Sequence, residues 1–166
     1  MSQSTLPSEL IFSRIAAGGG YIVPKMQDIS AGGSVNIHIR NPHADKVMWL
    51  AGISIFAEGN VDFLLHDSFD SITDGVEIII QNALMDSEGG APDSGPFEAF
   101  YGSTFTEAAD STIPVGFTVD SGPATSQSVD IFPVAVEPGR EVVIELDNQD
   151  SSVNKSLISL LLLTSY

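Results

Sequence analysis

Val35-Asn36-Ile37-His38-Ile39-Arg40-Asn41-Pro42 is the stretch that decides the fold class. Val35, Ile37 and Ile39 alternate with Asn36, His38 and Arg40, so one face is apolar and the other polar, the period-2 pattern of a half-buried strand. Pro42 cannot donate to a ladder and keeps Asn41 out of helical geometry, so Asn41 to Asp45 is a turn into the next strand. That strand, Lys46 to Phe56, carries the only tryptophan, Trp49. Glu58-Gly59-Asn60 is a tight connection to Val61, Phe63 and Leu65, again spaced by two, with Asp62 and His66 on the other face. These strands are predicted to form a meander.

Further along, Asp67 to Gly75 reads as a polar loop, and Val76, Ile78 and Ile80 form another alternating strand. Asn82 to Pro96, rich in Gly, Ser, Asp and Pro, is the longest predicted loop. Strand character resumes over Phe97 to Thr106, Val115 to Val119, Val129 to Val134, Glu141 to Leu146 and Lys155 to Leu163. Asp120-Ser121-Gly122-Pro123 and Glu137-Pro138-Gly139-Arg140 supply turns between them. About nine short strands without helical periodicity predict an all-β fold of two antiparallel sheets, closed as a jelly roll or an immunoglobulin-like sandwich. The jelly roll is favoured, because the immunoglobulin cysteine pair is missing and the chain exceeds the roughly 100 residues of that fold.

The chain of 166 residues is long enough for one domain with a proper core. Residues 20–166 are read as that single sandwich and residues 1–19 as an N-terminal arm. The arm is apolar at Leu6, Leu10, Ile11 and Phe12 and leads into Gly18-Gly19-Gly20. Such an arm suits the grip of a partner chain. Its opening residues have neither a basic nor an apolar export region, so synthesis without export is expected. The apolar run Leu157 to Leu163 is far shorter than the roughly 20 residues of a spanning helix and reads as a buried final strand.

Lys and Arg number 6 against 22 Asp and Glu, a formal charge of −16, yet 43 % of residues are hydrophobic. That apolar fraction argues against disorder. The few cations, Lys25, Lys46, Lys155, Arg14, Arg40 and Arg140, cannot form the basic patch that nucleic acid requires. A domain so charged repels itself in dilute buffer, whereas molar salt shortens the screening length to about 3 Å and relieves the cost. The charge therefore reads as adaptation to brine. Cysteine is absent, which removes disulfides and thiolate chemistry together.

Catalytic motifs are hard to find. His38, His43 and His66 are too far apart in sequence for a local metal pair, although strands could bring His38 and His66 together. They are expected to face solvent, as their polar neighbours do. Gly32-Gly33-Ser34 precedes a strand, where a nucleophile elbow would need a helix. Asp70-Ser71-Ile72-Thr73-Asp74-Gly75 has part of an EF-hand loop, but Ile72 occupies a ligand position and Gln81 stands where the bidentate Glu belongs. The clustered carboxylates Asp67, Asp70 and Asp74 are left as candidates for a weakly bound calcium or sodium ion. Glycosidase-like carboxylate pairs are uninformative among so many acids, and Trp49, Tyr101 and Phe105 serve equally as sugar platforms, core or interface. A non-enzymatic protein is expected.

A resemblance enters with Ile29 to Pro42 followed by Lys46 to Ile55. These segments are similar to the opening strands of small β-sandwich virion proteins of tailed phages and haloarchaeal viruses. The pattern continues through Val61 to Asp67, the Gly-rich 86–95 loop, Phe100 to Thr106 and Val136 to Asn148. The resemblance implies a capsid decoration or turret component on the virion surface, made in the host cytoplasm, forming a homo-oligomer (trimer or pentamer) and contacting other virion proteins. A single jelly-roll major capsid protein, a tail component or a module binding a host-surface glycan fits the same pattern. Contact elements would be the arm, through Leu6, Leu10, Ile11 and Phe12, the 82–96 loop, and the aromatic residues Phe97, Phe100 and Phe105.

Overall fold

Fourteen strands, all antiparallel where they pair, make up the described residues of a computed structural model: 15, 19–83, 97–109, 115–119, 126–129 and 133–164, with backbone alone at 115–119 and 126–129. They are β1 (Gly20–Ile29), β2 (Ser34–Arg40), β3 (Met48–Ala57), β4 (Val61–His66), β5 (Phe69–Thr73), β6 (Val76–Glu77) and β7 (Gln81–Asn82). The second half supplies β8 (Glu98–Tyr101), β9 (Thr104–Glu107), β10 (Val115–Val119), β11 (Ser126–Val129), β12 (Val134–Val136), β13 (Glu141–Asn148) and β14 (Asn154–Thr164). A first six-stranded sheet runs β11, β3, β14, β1, β7, with β12 also on β3; a second runs β10, β4, β13, β2, β8, β6; β5 and β9 form a separate two-stranded ribbon.

The alternation read from the sequence becomes the core. Val23, Leu50, Ile55 and Leu160 from the first sheet meet Ile37, Ile39, Phe63 and Ile144 from the second in one buried cluster. Burying such a side chain contributes roughly 1.5–3 kcal/mol, which is what clamps the sheets face to face. Asn148 ties the two layers at one end: its Nδ2 lies 3.1, 3.0 and 2.8 Å from the carbonyl oxygens of Ile29, Ser30 and Ser152. At the other end the Asn41-Pro42 turn forms as expected. Asn41 Oδ1 accepts from the His43 N–H, and its Nδ2 donates to the carbonyls of Lys46 and Val136.

The predicted meander does not form. β2 and β4 lie in the second sheet and β3 in the first, so the 58–60 connection is an arch from one layer to the other. Side chains of the 150–154 turn hold it there: Asn154 Oδ1 accepts from the Gly59 N–H and Asp150 Oδ2 from the Asn60 N–H. A Cβ on Gly59 would come within 2.0 Å of Asp150 Oδ2, so a larger residue there would displace the carboxylate that accepts from the Asn60 N–H. Strand β1, unforeseen in the sequence, contains Pro24, which fits because among the described residues β7 pairs only with Tyr21 and Ile22 and leaves the rest of β1 an edge. The polar loop expected at 67–75 contains β5. The strand expected over Phe97 to Thr106 breaks at Gly102, whose φ of 68° takes the chain out of the sheet and into the ribbon. Val76 to Gln81 likewise splits, giving β6 to the second sheet and β7 to the first.

Candidate functional site

The polar half of the deciding stretch lies on the outer face of the second sheet. Val143 of β13 pairs with His38 of β2 on one side and His66 of β4 on the other, and His38 pairs in turn with Phe100 of β8. Residues directly opposite one another share a face, so His66, Val143, His38 and Phe100 form a row across the sheet. Two residues along β13 in either direction put Glu141 beside His38 and Glu145 beside His66. Glu141 also belongs to an acid-base-acid row with Arg40 and Glu98.

This face is covered. His38 is 0 % and His66 4 % exposed, which corrects the expectation that they face solvent. Val143 is also fully buried, although it lies outside the core cluster between the sheets. The cover is the ribbon, whose Phe105 ring lies 5.0 Å from His66 and 5.5 Å from Phe69. Polar contacts fasten it. His66 Nδ1 bonds Glu107 of β9 and its Nε2 stands 3.0 Å from Glu145 of β13. Asp74, just past β5, takes both terminal nitrogens of Arg40, which also reaches Glu98 and Glu141.

The two histidines face opposite electrostatics. Burial lowers the His38 pKa and is only partly offset by Glu141, 2.6 Å from Nε2. A neutral ring that donates from Nε2 to Glu141 leaves Nδ1 to accept from the Ser103 hydroxyl at 3.3 Å. Around His66 burial again opposes charge, but hydrogen bonds to Glu145 and Glu107 together with their charges outweigh it and raise the pKa. Its bond to His66 holds the Glu145 carboxyl below its ordinary value. Arg40 does the same to Asp74. Asp147 moves the other way, pushed up by burial and by the neighbouring Glu145 and Asp62.

Ser103, His38 and Glu141 are the residue types of a nucleophile, base and acid relay. Their geometry serves another end. Ser103 is 4 % exposed, and its oxygen already accepts the Gly75 N–H at 3.0 Å, so the hydroxyl ties the turn after β5 to the sheet. Asn36 adds to the same anchor by donating to the Ser103 carbonyl. The open feature nearby is a cleft of about 270 Å³ between β5 and the 137–140 turn, lined by Asp67, Asp70, Ile72, Arg140 and Glu141 among others.

The candidates drawn from sequence are dispersed. Asp67 and Asp70 reach the cleft, while Asp74 is committed to Arg40. Among the described residues no group of three or more His, Asp or Glu side chains converges as a metal site would. Phe97 is buried against Tyr21 and His43, Phe100 lies over His38 with the Arg40 guanidinium 5.2 Å from its ring, and Phe105 packs in the ribbon. All three make packing contacts within the chain, with Phe97 buried and Phe100 and Phe105 half-buried. Leu6, Leu10, Ile11 and Phe12 lie outside the described residues, as does most of the 82–96 loop. Sequence reading passed over Ser103, Glu107, Glu141 and Glu145. The signal available was Glu141-Val142-Val143-Ile144-Glu145, which sets two carboxylates on one face of a strand with a single valine between them.

No helix among the described residues is long and apolar enough to cross a membrane. No protein-family model matches the chain, and no curated protein matches its sequence.

Proposed function

We propose that this chain is a non-enzymatic structural protein, a jelly-roll sandwich that assembles with its own copies on the surface of a halophilic virion as a decoration or turret component. The strand order carries this reading. With the short β5 to β9 set aside and β11 and β12 counted as one, eight principal strands remain. The sheets then run first, eighth, third, sixth and second, seventh, fourth, fifth, an order that supports closure as the double Greek key of a jelly roll. The polar chemistry of the second sheet supports a structural role, because its histidines, arginine and buried serine are spent on fastening the ribbon. The charge of −16 supports brine as the working medium.

Mass measurement of the purified protein in molar salt tests this, with a defined homo-oligomer expected and a monomer at all concentrations overturning it. Thermal melts should rise steeply from dilute buffer to molar salt. A flat response would remove the halophilic part. The cleft beside Asp67 and Asp70 favours a second reading, a glycan-binding module using a cation. Chelator-sensitive glycan binding lost in Asp70→Asn would establish that alternative.

A further inference from the structure

The outer face of the first sheet has a different chemistry from the one under the ribbon. On β1 its outward residues are Ile22, Pro24 and Met26, and opposite them on β14 stand Leu161, Ser159 and Leu157. Phe56 of β3 continues the row of Met26 and Leu157. None of these carries charge, in a chain with 22 acidic residues. They are half-buried or exposed, and Met26 is 73 % exposed. The exposed Asp28 and Lys155 bound the block at one end.

We propose that this uncharged face is the surface through which a second copy of the same chain docks, sheet against sheet. The inference deepens the reading of the chain as an assembling unit and rests on it. Charge selects the occupant. Two copies that each carry −16 repel wherever carboxylates meet, and the second sheet is already covered by its ribbon and rimmed by carboxylates such as Glu98. Between its Asp28–Lys155 end and Leu161, the first sheet opposes leucine, isoleucine, phenylalanine, proline, methionine and serine, so a two-fold pairing there removes apolar surface from water without stranding a charge. The area sets the strength. The three long strands β1, β14 and β3, about 4.8 Å apart and about ten residues long at about 3.3 Å each, give roughly 480 Å² per partner. Two faces bury roughly 950 Å², the size of a weak, concentration-dependent interface.

The other possible occupant is the chain's own arm, since Ile15 Cγ1 lies 2.7 Å from where a Cβ on Gly20 would sit, at the Leu163 end of this face. One set of experiments on the full chain in molar salt separates the outcomes. Wild type is expected to be a dimer or a multiple of one, and Leu161→Glu to weaken association more than tenfold with an unchanged circular dichroism spectrum. Ser159→Cys, the sole thiol in a chain without cysteine, should be joined to its copy by a bis-maleimide of about 10 Å, the spacing of packed sheets, whereas Glu77→Cys should not. An oligomer indifferent to Leu161→Glu overturns the surface and leaves the assembling unit standing. A monomer at every concentration overturns both. A monomer that dimerises only after deletion of residues 1–14 assigns the face to the arm and overturns docking of the second copy.

Discussion

On β13 the outward positions are Glu141, Val143, Glu145 and Asp147, whereas on β14 they are Lys155, Leu157, Ser159 and Leu161. Both strands are central in their sheets, and both bury their other face in the same core. The contrast teaches that a charged strand face can be the covered one. Carboxylates on β13 are tolerated under the ribbon because His38, His66 and Arg40 pair with them, so the charges act as fasteners. Leucines on β14 have no such partners and, among the described residues, no ribbon laid across them, and they stay half-buried, although an apolar side chain is the easier one to bury.

The contrast can be broken most severely at His66. His66→Ala should leave Glu145 of the sheet and Glu107 of the ribbon facing each other without their shared partner and cost about 3 kcal/mol, read from the denaturant midpoint. Stability within about 0.5 kcal/mol of wild type would mean that the ribbon is held by its aromatic residues alone. Arg40→Ala removes the link from Asp74 to Glu98 and Glu141, and a loss of about 1.5 kcal/mol is expected. Proteolysis should then cut the 67–75 segment faster.

Titration sharpens the same comparison, since the two histidines have opposite signs. His66 has a raised pKa, so its stabilisation is complete below the ordinary value of 6.5 and is lost as pH rises through the folded value. His38 has a lowered pKa, so its contribution grows as pH rises from the folded value to 6.5 and is complete above it. Melts of His66→Gln should therefore differ most from wild type at acid pH, and those of His38→Gln at neutral pH. Parallel profiles would refute the assignment. The smallest effect belongs to the open face: melted as the dissociated chain at low concentration, Met26→Ser should change stability by no more than about 0.5 kcal/mol, since most of that side chain meets water in the single copy.

The sequence reading reached the core faces of β2 and β4, because period-2 alternation reports directly on burial. Val35, Ile37 and Ile39 point inward as expected, and so do Val61, Phe63 and Leu65. It missed the second layer of burial. His38 and Asn36 look like solvent-facing residues on any pattern that assumes one covered face, and the cover comes from β5 and β9, thirty residues apart and individually polar. It also read the 58–60 connection as a hairpin. Glycine in a short connection is common to hairpins and arches, and what selects the arch here, Asp150 and Asn154, lies some 90 residues away. Strand β1 was obscured by Pro24 and by Lys25, whose ammonium crosses the sandwich edge to the Tyr101 ring at 4.1 Å.

The split of residues 76–82 between the two sheets bears on how such a protein avoids fibres. By giving two residues to the rim of each layer, this short segment caps both rims on that side, and beyond it Pro24 denies an N–H to any incoming strand. Among the described residues this rim therefore offers an incoming strand only a short, interrupted ladder, which works against strand-by-strand growth into a filament.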